Sequence, residues 1–297
     1  MKTFRYSTSG RWLKGNTHLH STASDGGKTF AEIADLYTAA GYDFLFRTDH
    51  WVASNAMADE GPSPLLWLDG IELDGHDSTG AYFHVACLGK LEKICRDDGL
   101  EPAMKSAREQ GALLILAHPH WSGNSLGDCL RWGFDGVEVY NHVCHWLNGK
   151  SNGLVHWDAA LMRHPATLGL AVDDAHLKPG VTSYNGGWIV VRSEACETAA
   201  ILTAIRRGNF YSSCGPEFHA ITLDGGHVHA GTSPIRFARL VGPGPRGARL
   251  SASDGGPLTD VRFEVPSDWR YAYLEIEDAE GRRAWTNSLF AEAGGPA

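Results

Sequence analysis

Two histidines separated by one residue, His18 and His20, are the first side chains whose types and spacing suggest chemistry. Alternate residues of a β-strand lie on one face, about 7 Å apart along the backbone, so both imidazoles could bind one cation. The turn at residues 24–26 could bring the carboxylate of Asp25 to the same place. An exposed strand can also carry such a pair, so the prediction of a metal site depends on further ligands elsewhere in the chain.

Further histidines and aspartates follow short apolar runs that we predict to be strands. The runs are residues 43–48, 113–117 and 167–172, and the polar residues after them are His50, His118, Asp174 and His176. Helices are predicted between the strands; residues 29–40 begin with a capping box formed by Thr29 and Glu32. Because a parallel β/α barrel brings the carboxyl ends of its strands to one mouth, we expect these side chains to meet there.

The pattern changes at about residue 217. From there, short segments of alternating apolar and polar residues are separated by turns rich in glycine, proline and aspartate. Such a pattern is typical of antiparallel strands. We therefore predict two domains, an α/β domain over residues 1–216 and a small C-terminal antiparallel β module over residues 217–297.

Composition and charge exclude several classes of protein. The 297 residues carry a formal net charge of −9, which argues against non-specific binding of duplex nucleic acid. None of the 6 cysteines forms a C-x-x-C pair, so neither a thiolate zinc site nor a disulfide scaffold is predicted. There is no apolar run of about 18 residues, and no signal peptide is recognisable. We expect a cytoplasmic protein with reduced cysteines and no membrane partner; the oligomeric state is not predicted.

Six segments, taken together and in order, resemble the PHP (polymerase and histidinol phosphatase) superfamily of metal-dependent hydrolases. They are His18-x-His20-x4-Asp25-Gly26, Thr48-Asp49-His50, Gly70-Ile71-Glu72, the isolated His84, Ala117-His118-Pro119 and Asp174-Ala175-His176. Residues 14–16, 208–211 and 284–287 further resemble, more loosely, the CehA/McbA branch of carbamate hydrolases.

The resemblance implies a distorted (β/α)7 TIM-like barrel, the PHP fold, with two or three divalent metal ions such as zinc, manganese or iron. Carried over residue by residue, the implied ligands of the first metal are His18, His20, Glu72 and Asp174. Glu72 would bridge to a second metal that is also held by His84 and His118. The implied ligands of a third metal are Asp25, His50 and His176.

The activity implied by the resemblance is hydrolysis by metal-activated water of a small or nucleotide-like phosphoester. Hydrolysis of a carboxyl or carbamate ester is the alternative, and a non-catalytic metal-binding module is a further one. Asp174 is expected to serve catalysis as well as metal binding. Arg47 could clamp a phosphate or pair with a carboxylate such as Glu138, and His120 could protonate the leaving group or simply line the wall.

Four neighbouring residues are predicted to support the site rather than to bind metal. Asp173 is expected to be structural, although it adjoins Asp174. Glu138 is expected to hold a ligand imidazole from behind, as carboxylates commonly do in metal sites. Trp51 and Trp121 each adjoin a candidate histidine and are expected to line the pocket.

Overall fold

The computed structural model describes residues 2–55, 63–252 and 255–292. The helices are α1 (Phe30–Ala39), α2 (Leu100–Glu109), α3 (Pro119–Ser122), α4 (Leu126–Arg131), α5 (His142–Asn148), α6 (Leu154–Arg163) and α7 (Thr198–Arg206). A 3-10 turn, Arg96–Asp98, precedes α2. No helix in these ranges is both long and apolar enough to cross a bilayer.

The first ten strands are β1 (Lys2–Phe4), β2 (Arg11–Asn16), β3 (Phe44–Arg47), β4 (Leu66–His76), β5 (Tyr82–Leu88), β6 (Leu113–Leu116), β7 (Gly136–Asn141), β8 (Leu168–Val172), β9 (Trp188–Ser193) and β10 (Phe210–Ser213). The others are β11 (Phe218–Asp224), β12 (His227–Ile235), β13 (Phe237–Val241), β14 (Gly247–Leu250), β15 (Leu258–Glu264), β16 (Tyr273–Glu277), β17 (Arg283–Thr286) and β18 (Phe290–Glu292).

A mixed sheet of 13 strands, in the order β14-β13-β16-β17-β10-β9-β2-β3-β4-β5-β6-β7-β8, forms the centre of the fold. Neighbours from β2 to β4 and from β6 to β8 are parallel, whereas β5 is antiparallel to both β4 and β6. An isolated parallel bridge between Leu19 and Ala175 joins the segments that follow β2 and β8. The predicted α/β class is confirmed, but this order does not confirm a closed (β/α)7 barrel.

Helix α1 holds together the segments that lead to the candidate site. Thr29 and Glu32 form the predicted capping box at its N-terminus. Its buried Ile33 and Tyr37 belong to an apolar cluster with Leu19 and Ala175, the residues of the isolated bridge. Burial of these side chains therefore fixes the positions of the chain just after β2 and just after β8.

The strands that follow residue 217 are antiparallel, as predicted. Strands β11, β12 and β15 form a separate sheet, whereas β13, β14, β16 and β17 extend the large sheet through the pairing of β17 with β10. Strand β18 pairs with β1 near the start of the chain. The division between residues 216 and 217 stays a prediction, since hydrogen bonds of one sheet run across it.

Asp173 is a buried anchor beside the candidate site. Its carboxylate accepts hydrogen bonds from the Tyr37 hydroxyl at 2.8 Å and from the backbone N–H groups of Asn185, Gly186 and Gly187 at 2.8, 2.8 and 2.9 Å. Four donors satisfy the carboxylate, which agrees with the structural role predicted for it.

We expect the substitution Tyr37→Phe to lower the free energy of unfolding by about 1.5–3 kcal/mol, because it removes a buried hydrogen bond to a charged group. Urea denaturation measures this loss. Tyr273→Phe is the matched control, since Tyr273 is also buried and its hydroxyl makes no hydrogen bond within the described residues. Equal losses in the two variants would show that the bond to Asp173 is not the cause.

Candidate metal centre

The segment after β2 carries the two histidines on which the prediction began. His18 and His20 are fully buried, and their Nε2 atoms lie 3.2 Å apart. Between them, the backbone of Leu19 donates to the Thr48 hydroxyl at 2.9 Å and accepts from it at 3.0 Å. Both imidazoles therefore point to one place, as the spacing predicted.

The turn that follows is held by a second buried carboxylate. Asp49 accepts hydrogen bonds from the Ser21 N–H and hydroxyl, both at 2.8 Å, and from the Ser24 hydroxyl at 2.5 Å. These bonds fold residues 21–24 back toward β3, so that Asp25 faces the histidines.

Glu72, on β4, lies at the centre of the imidazoles and is almost fully buried. Its Oε2 atom is 3.1 Å from His18 Nε2, 3.2 Å from His20 Nε2 and 3.3 Å from His50 Nδ1. Its Oε1 atom is 2.7 Å from His84 Nδ1 and 3.4 Å from His118 Nε2. One carboxylate thus contacts five imidazoles that come from distant parts of the chain.

Asp174, which lies just after β8, contacts three of these imidazoles. Its Oδ1 atom lies 3.1 Å from His20 Nε2 and 3.5 Å from His18 Nε2, and Oδ2 lies 3.7 Å from His118 Nε2. The backbone at Asp174 and His118 has φ of +53° and +26°, which ordinary residues rarely adopt. Strained backbone of this kind is frequent at functional sites, where the surrounding structure holds it.

A third group of side chains lies toward the solvent. His176 Nε2 is 3.2 Å from Asp25 Oδ2, and His20 Nδ1 is 3.6 Å from Asp25 Oδ1. Lys178 also reaches Asp25 Oδ2 at 3.2 Å. The structure thus brings together all nine predicted ligands, in four overlapping groups whose ligand atoms lie within 4.8 Å of one another: His18, His20, Asp25, His50, Glu72, His84, His118, Asp174 and His176.

Two buried nitrogen atoms show that this donor set fits divalent metal ions. Among the described residues, the Nδ1 atoms of His20 and His50 have no partner in hydrogen-bond geometry, although each faces a carboxylate. Leaving a buried polar atom unpaired costs about 1–3 kcal/mol, so such atoms are rare unless a ligand satisfies them. Imidazole and carboxylate groups suit borderline divalent ions. A metal ion bound to the two Nδ1 atoms would supply the interaction that they lack.

Charge within the cluster shifts the pKa values of its members in opposite directions. Burial alone would lower the pKa of His20, but its contacts with Asp174 and Glu72 outweigh burial and raise this pKa from 6.5 to about 9. Burial would raise the pKa of Glu72, but the charges of His18 and His84 hold it well below its usual value. Without metal, the raised pKa values of His18, His20 and His84 favour their protonated forms, which pair with the carboxylates.

The metal-free protein is therefore expected to lose stability between about pH 7 and pH 9.5. A histidine whose pKa is raised on folding stabilises the fold fully below its unfolded value of 6.5, and this contribution is lost as the pH rises through about 9. Metal-loaded protein is the control, because its ligand imidazoles have already lost their protons. Thermal unfolding measures both forms, and a metal-free protein equally stable at the two pH values would contradict the assignment.

Two side chains of β7 support the cluster from behind. Glu138 Oε1 lies 2.6 Å from His18 Nδ1, and its Oε2 accepts the backbone N–H of His118 at 2.8 Å. Asn141 donates to Glu138 Oε2 at 2.9 Å and to Asp174 Oδ2 at 3.2 Å. The contact with His18 agrees with the role predicted for Glu138.

For Glu138→Gln we expect metal affinity to fall about 10- to 100-fold, as is typical when a partner outside the ligand set is lost. The amide of Gln has nearly the same size as the carboxylate of Glu138 but carries no negative charge, so it holds the His18 ring less firmly. Competition with a chromophoric chelator measures the affinity. The exposed Glu109, which pairs with Lys105, supplies the control Glu109→Gln. Unchanged affinity in Glu138→Gln would exclude this supporting role.

Two of the three predicted catalytic residues, Arg47 and His120, do not belong to the four groups of candidate ligands. The guanidinium of Arg47 is buried beneath α1, 3.9 Å from the centre of the Phe30 ring and 5.5 Å from that of Trp67. His120 is exposed on the short helix α3, whereas its neighbour His118 is buried. Asp174 is the one candidate of the three that lies within the cluster.

The two predicted tryptophans flank the cluster. The Trp121 ring centroid lies 5.1 Å from that of His118 and 5.8 Å from that of His84, both edge to face. Trp51 donates its indole N–H to Asp74 at 2.8 Å.

Sequence reasoning did not name Asp74 and Asn141. Asp74 Oδ1 lies 3.3 Å from His50 Nδ1, and Asp74 pairs across the strands with His84. Its position two residues after Glu72 on one strand was a usable signal, since alternate residues share a face. Asn141 ends β7, and polar residues at strand ends had already indicated His118 and Asp174.

A cavity of about 420 Å³ opens beside the cluster. Its lining consists of Ser24, Asp25, His50, Asp74, Tyr82, His84 and Arg96. His84 Nε2 lies 3.0 Å from the Tyr82 hydroxyl at its wall. A small molecule that enters this cavity would therefore meet the outer imidazoles directly.

Comparison with known proteins shows similarity at the level of the fold. No family model matches the sequence, and no curated protein matches it. A solved protein of Bacteroides vulgatus ATCC 8482, described as a two-domain protein containing a predicted PHP-like metal-dependent phosphoesterase, aligns over 97% of this chain and 98% of its own, with a TM-score of 0.51 and 14% identity.

A second solved protein, from Bifidobacterium adolescentis ATCC 15703, is provisionally described as a metal-dependent phosphoesterase. It covers 57% of this chain and 90% of its own, with a TM-score of 0.39 and 14% identity. The first comparison shows that the chain shares, over nearly its whole length, the fold of a two-domain protein that contains a PHP-like part, which confirms the predicted resemblance at the level of the fold. The comparisons do not confirm the CehA/McbA branch.

Proposed function

We propose that the chain is a metal-dependent hydrolase on a distorted seven-stranded barrel, and that it is a phosphoesterase for small or nucleotide-like phosphoesters. One observation carries the proposal: Glu72 contacts five imidazoles, and two of these, His50 and His84, line an open cavity. A purely structural ion would be enclosed by its ligands, whereas catalytic sites keep an open position for water or substrate.

The fit of the donor set supports two or three divalent ions, of which zinc, manganese and iron suit mixed imidazole and carboxylate ligands best. Such ions, when bound, supply a nucleophile from water at neutral pH and attract the substrate oxygen. Glu138 keeps the His18 ring in one orientation, and Asn141 keeps the Asp174 carboxylate in place. These residues hold the ligands in the geometry that the reaction requires.

Charge also favours a phosphoester. The cluster carries the buried carboxylates of Glu72 and Asp174 and the half-exposed carboxylate of Asp25. Alone, these groups would repel an anionic substrate. Cations at the imidazoles would reverse the sign of the local potential and attract it.

The test is a panel of phosphomonoesters, phosphodiesters, aryl carboxyl esters and carbamates, assayed on protein loaded separately with zinc, manganese or iron. We expect hydrolysis of a phosphoester that depends on added metal and is lost on chelation. Preference for carbamates or aryl esters would replace the proposed substrate class by its alternative. Absence of all hydrolysis, with metal bound, would instead favour a non-catalytic metal-binding module.

A further inference from the structure

Arg96 stands at the rim of the cavity beside the cluster. It begins the 3-10 turn Arg96–Asp98, and its side chain is 69% exposed. Among the described residues that line this cavity it is the one Lys or Arg. Its charge therefore faces whatever enters the cavity.

The guanidinium of Arg96 is not engaged in a hydrogen bond within the described residues. Its closest carboxylate oxygen, Asp74 Oδ2, lies 3.9 Å from Nη2, which is beyond hydrogen-bond distance. Asp74 already accepts the indole N–H of Trp51 at 2.8 Å. The guanidinium carbon lies 5.9 Å from the centre of the Trp51 ring, so a weak aromatic contact orients the side chain without using its N–H donors.

The same aspartate places Arg96 close to the candidate metal centre. Asp74 Oδ1 is 3.3 Å from His50 Nδ1, while Asp74 Oδ2 is the atom nearest to Arg96. One carboxylate group thus separates the guanidinium from an imidazole of the cluster. A small substrate whose reacting group lies at the cluster can extend a second group to Arg96.

We propose that Arg96 binds a second anionic group of the substrate, a carboxylate or a phosphate, and so selects small esters that carry two anionic groups. The planar guanidinium presents paired N–H donors that match either oxyanion in a bidentate manner. The proposal rests on the proposed function, because it assumes that the first anionic group occupies the cluster.

Binding of two non-hydrolysable phosphonates to metal-loaded protein tests this role without requiring turnover. 3-Phosphonopropionate and propylphosphonate have chains of equal length, but the former ends in a carboxylate. By calorimetry we expect the carboxylate to tighten binding about tenfold in the wild type, as one charge-assisted hydrogen-bonded pair would. In Arg96→Met this preference is expected to fall below about threefold, while binding of propylphosphonate stays the same.

Arg246→Met is the matched control, because Arg246 is also half exposed, pairs with Asp268 and does not line the cavity. It should keep the full preference. Equal binding of the two phosphonates by the wild type, an unchanged preference in Arg96→Met, or no binding of either compound would overturn the proposal. An inactive phosphoester panel together with an Arg96-dependent preference would instead contradict only the proposed function.

Discussion

The substitution Glu72→Gln is expected to lower kcat/KM of the metal-loaded protein about 1,000-fold, beyond the roughly 10- to 100-fold loss typical of a partner outside the ligand set. Glu72 contacts five imidazoles through its two oxygens, so it is shared by more than one group of candidate ligands. The amide has nearly the same size but no negative charge, and one of its two oxygens becomes an N–H donor facing the imidazoles. Steady-state kinetics at saturating metal and elemental analysis of bound metal measure the two consequences.

The variants Glu138→Gln and Glu109→Gln provide a comparison for the loss of activity in Glu72→Gln. The same chemical change is made inside the cluster at Glu72, behind it at Glu138 and on an exposed helix at Glu109. We expect the loss of activity to decrease in that order. Full activity in Glu72→Gln at normal metal content would show that neither metal binding nor hydrolysis requires the Glu72 carboxylate.

The second large effect is expected for Asp174→Asn, which should also lower kcat/KM about 1,000-fold on the same reasoning. Asp174 touches four imidazoles of the cluster, and its backbone adopts a positive φ that keeps the carboxylate directed toward them. Asn retains the shape and tolerates this φ, so the fold should be preserved. Kinetics and circular dichroism of the variant separate loss of chemistry from loss of structure.

The adjacent carboxylate provides the contrast for this prediction. Asp173 contacts Tyr37 and three backbone N–H groups instead of the imidazoles. Asp173→Asn is therefore expected to lower the free energy of unfolding while the folded fraction keeps its metal. Hydrolysis that persists in Asp174→Asn with metal bound would show that the catalytic role belongs elsewhere.

Residue type and position at strand ends were sufficient to predict some members of the cluster. His118 and Asp174 follow buried strands of the large sheet, and parallel neighbours carry such residues to one edge. Glu72 and His84 had a weaker signal, because they lie within β4 and β5 rather than after them. Their assignment came from the resemblance, and the antiparallel pairing of the two strands brings them to the same site.

Arg47 shows where the local pattern gives no information. Every residue of β3 is buried, so alternation along the strand does not tell which face meets the cluster and which meets a helix. Arg47 lies on the side of Leu45, whose side chain belongs to the apolar cluster beneath α1.

The pairing of β10 with β17 was equally unpredictable, since nothing near Tyr211 identifies its distant partner Thr286.

The most direct test of the central claim is to locate metal ions in crystals of the metal-loaded protein by anomalous scattering, with elemental analysis of the same preparation. We predict at least two divalent ions per chain, one bound between Glu72 and the imidazoles of His18 and His20 and another beside His84 or His118. Ordered side chains without an ion between them after loading, or ions bound only elsewhere on the chain, would contradict it.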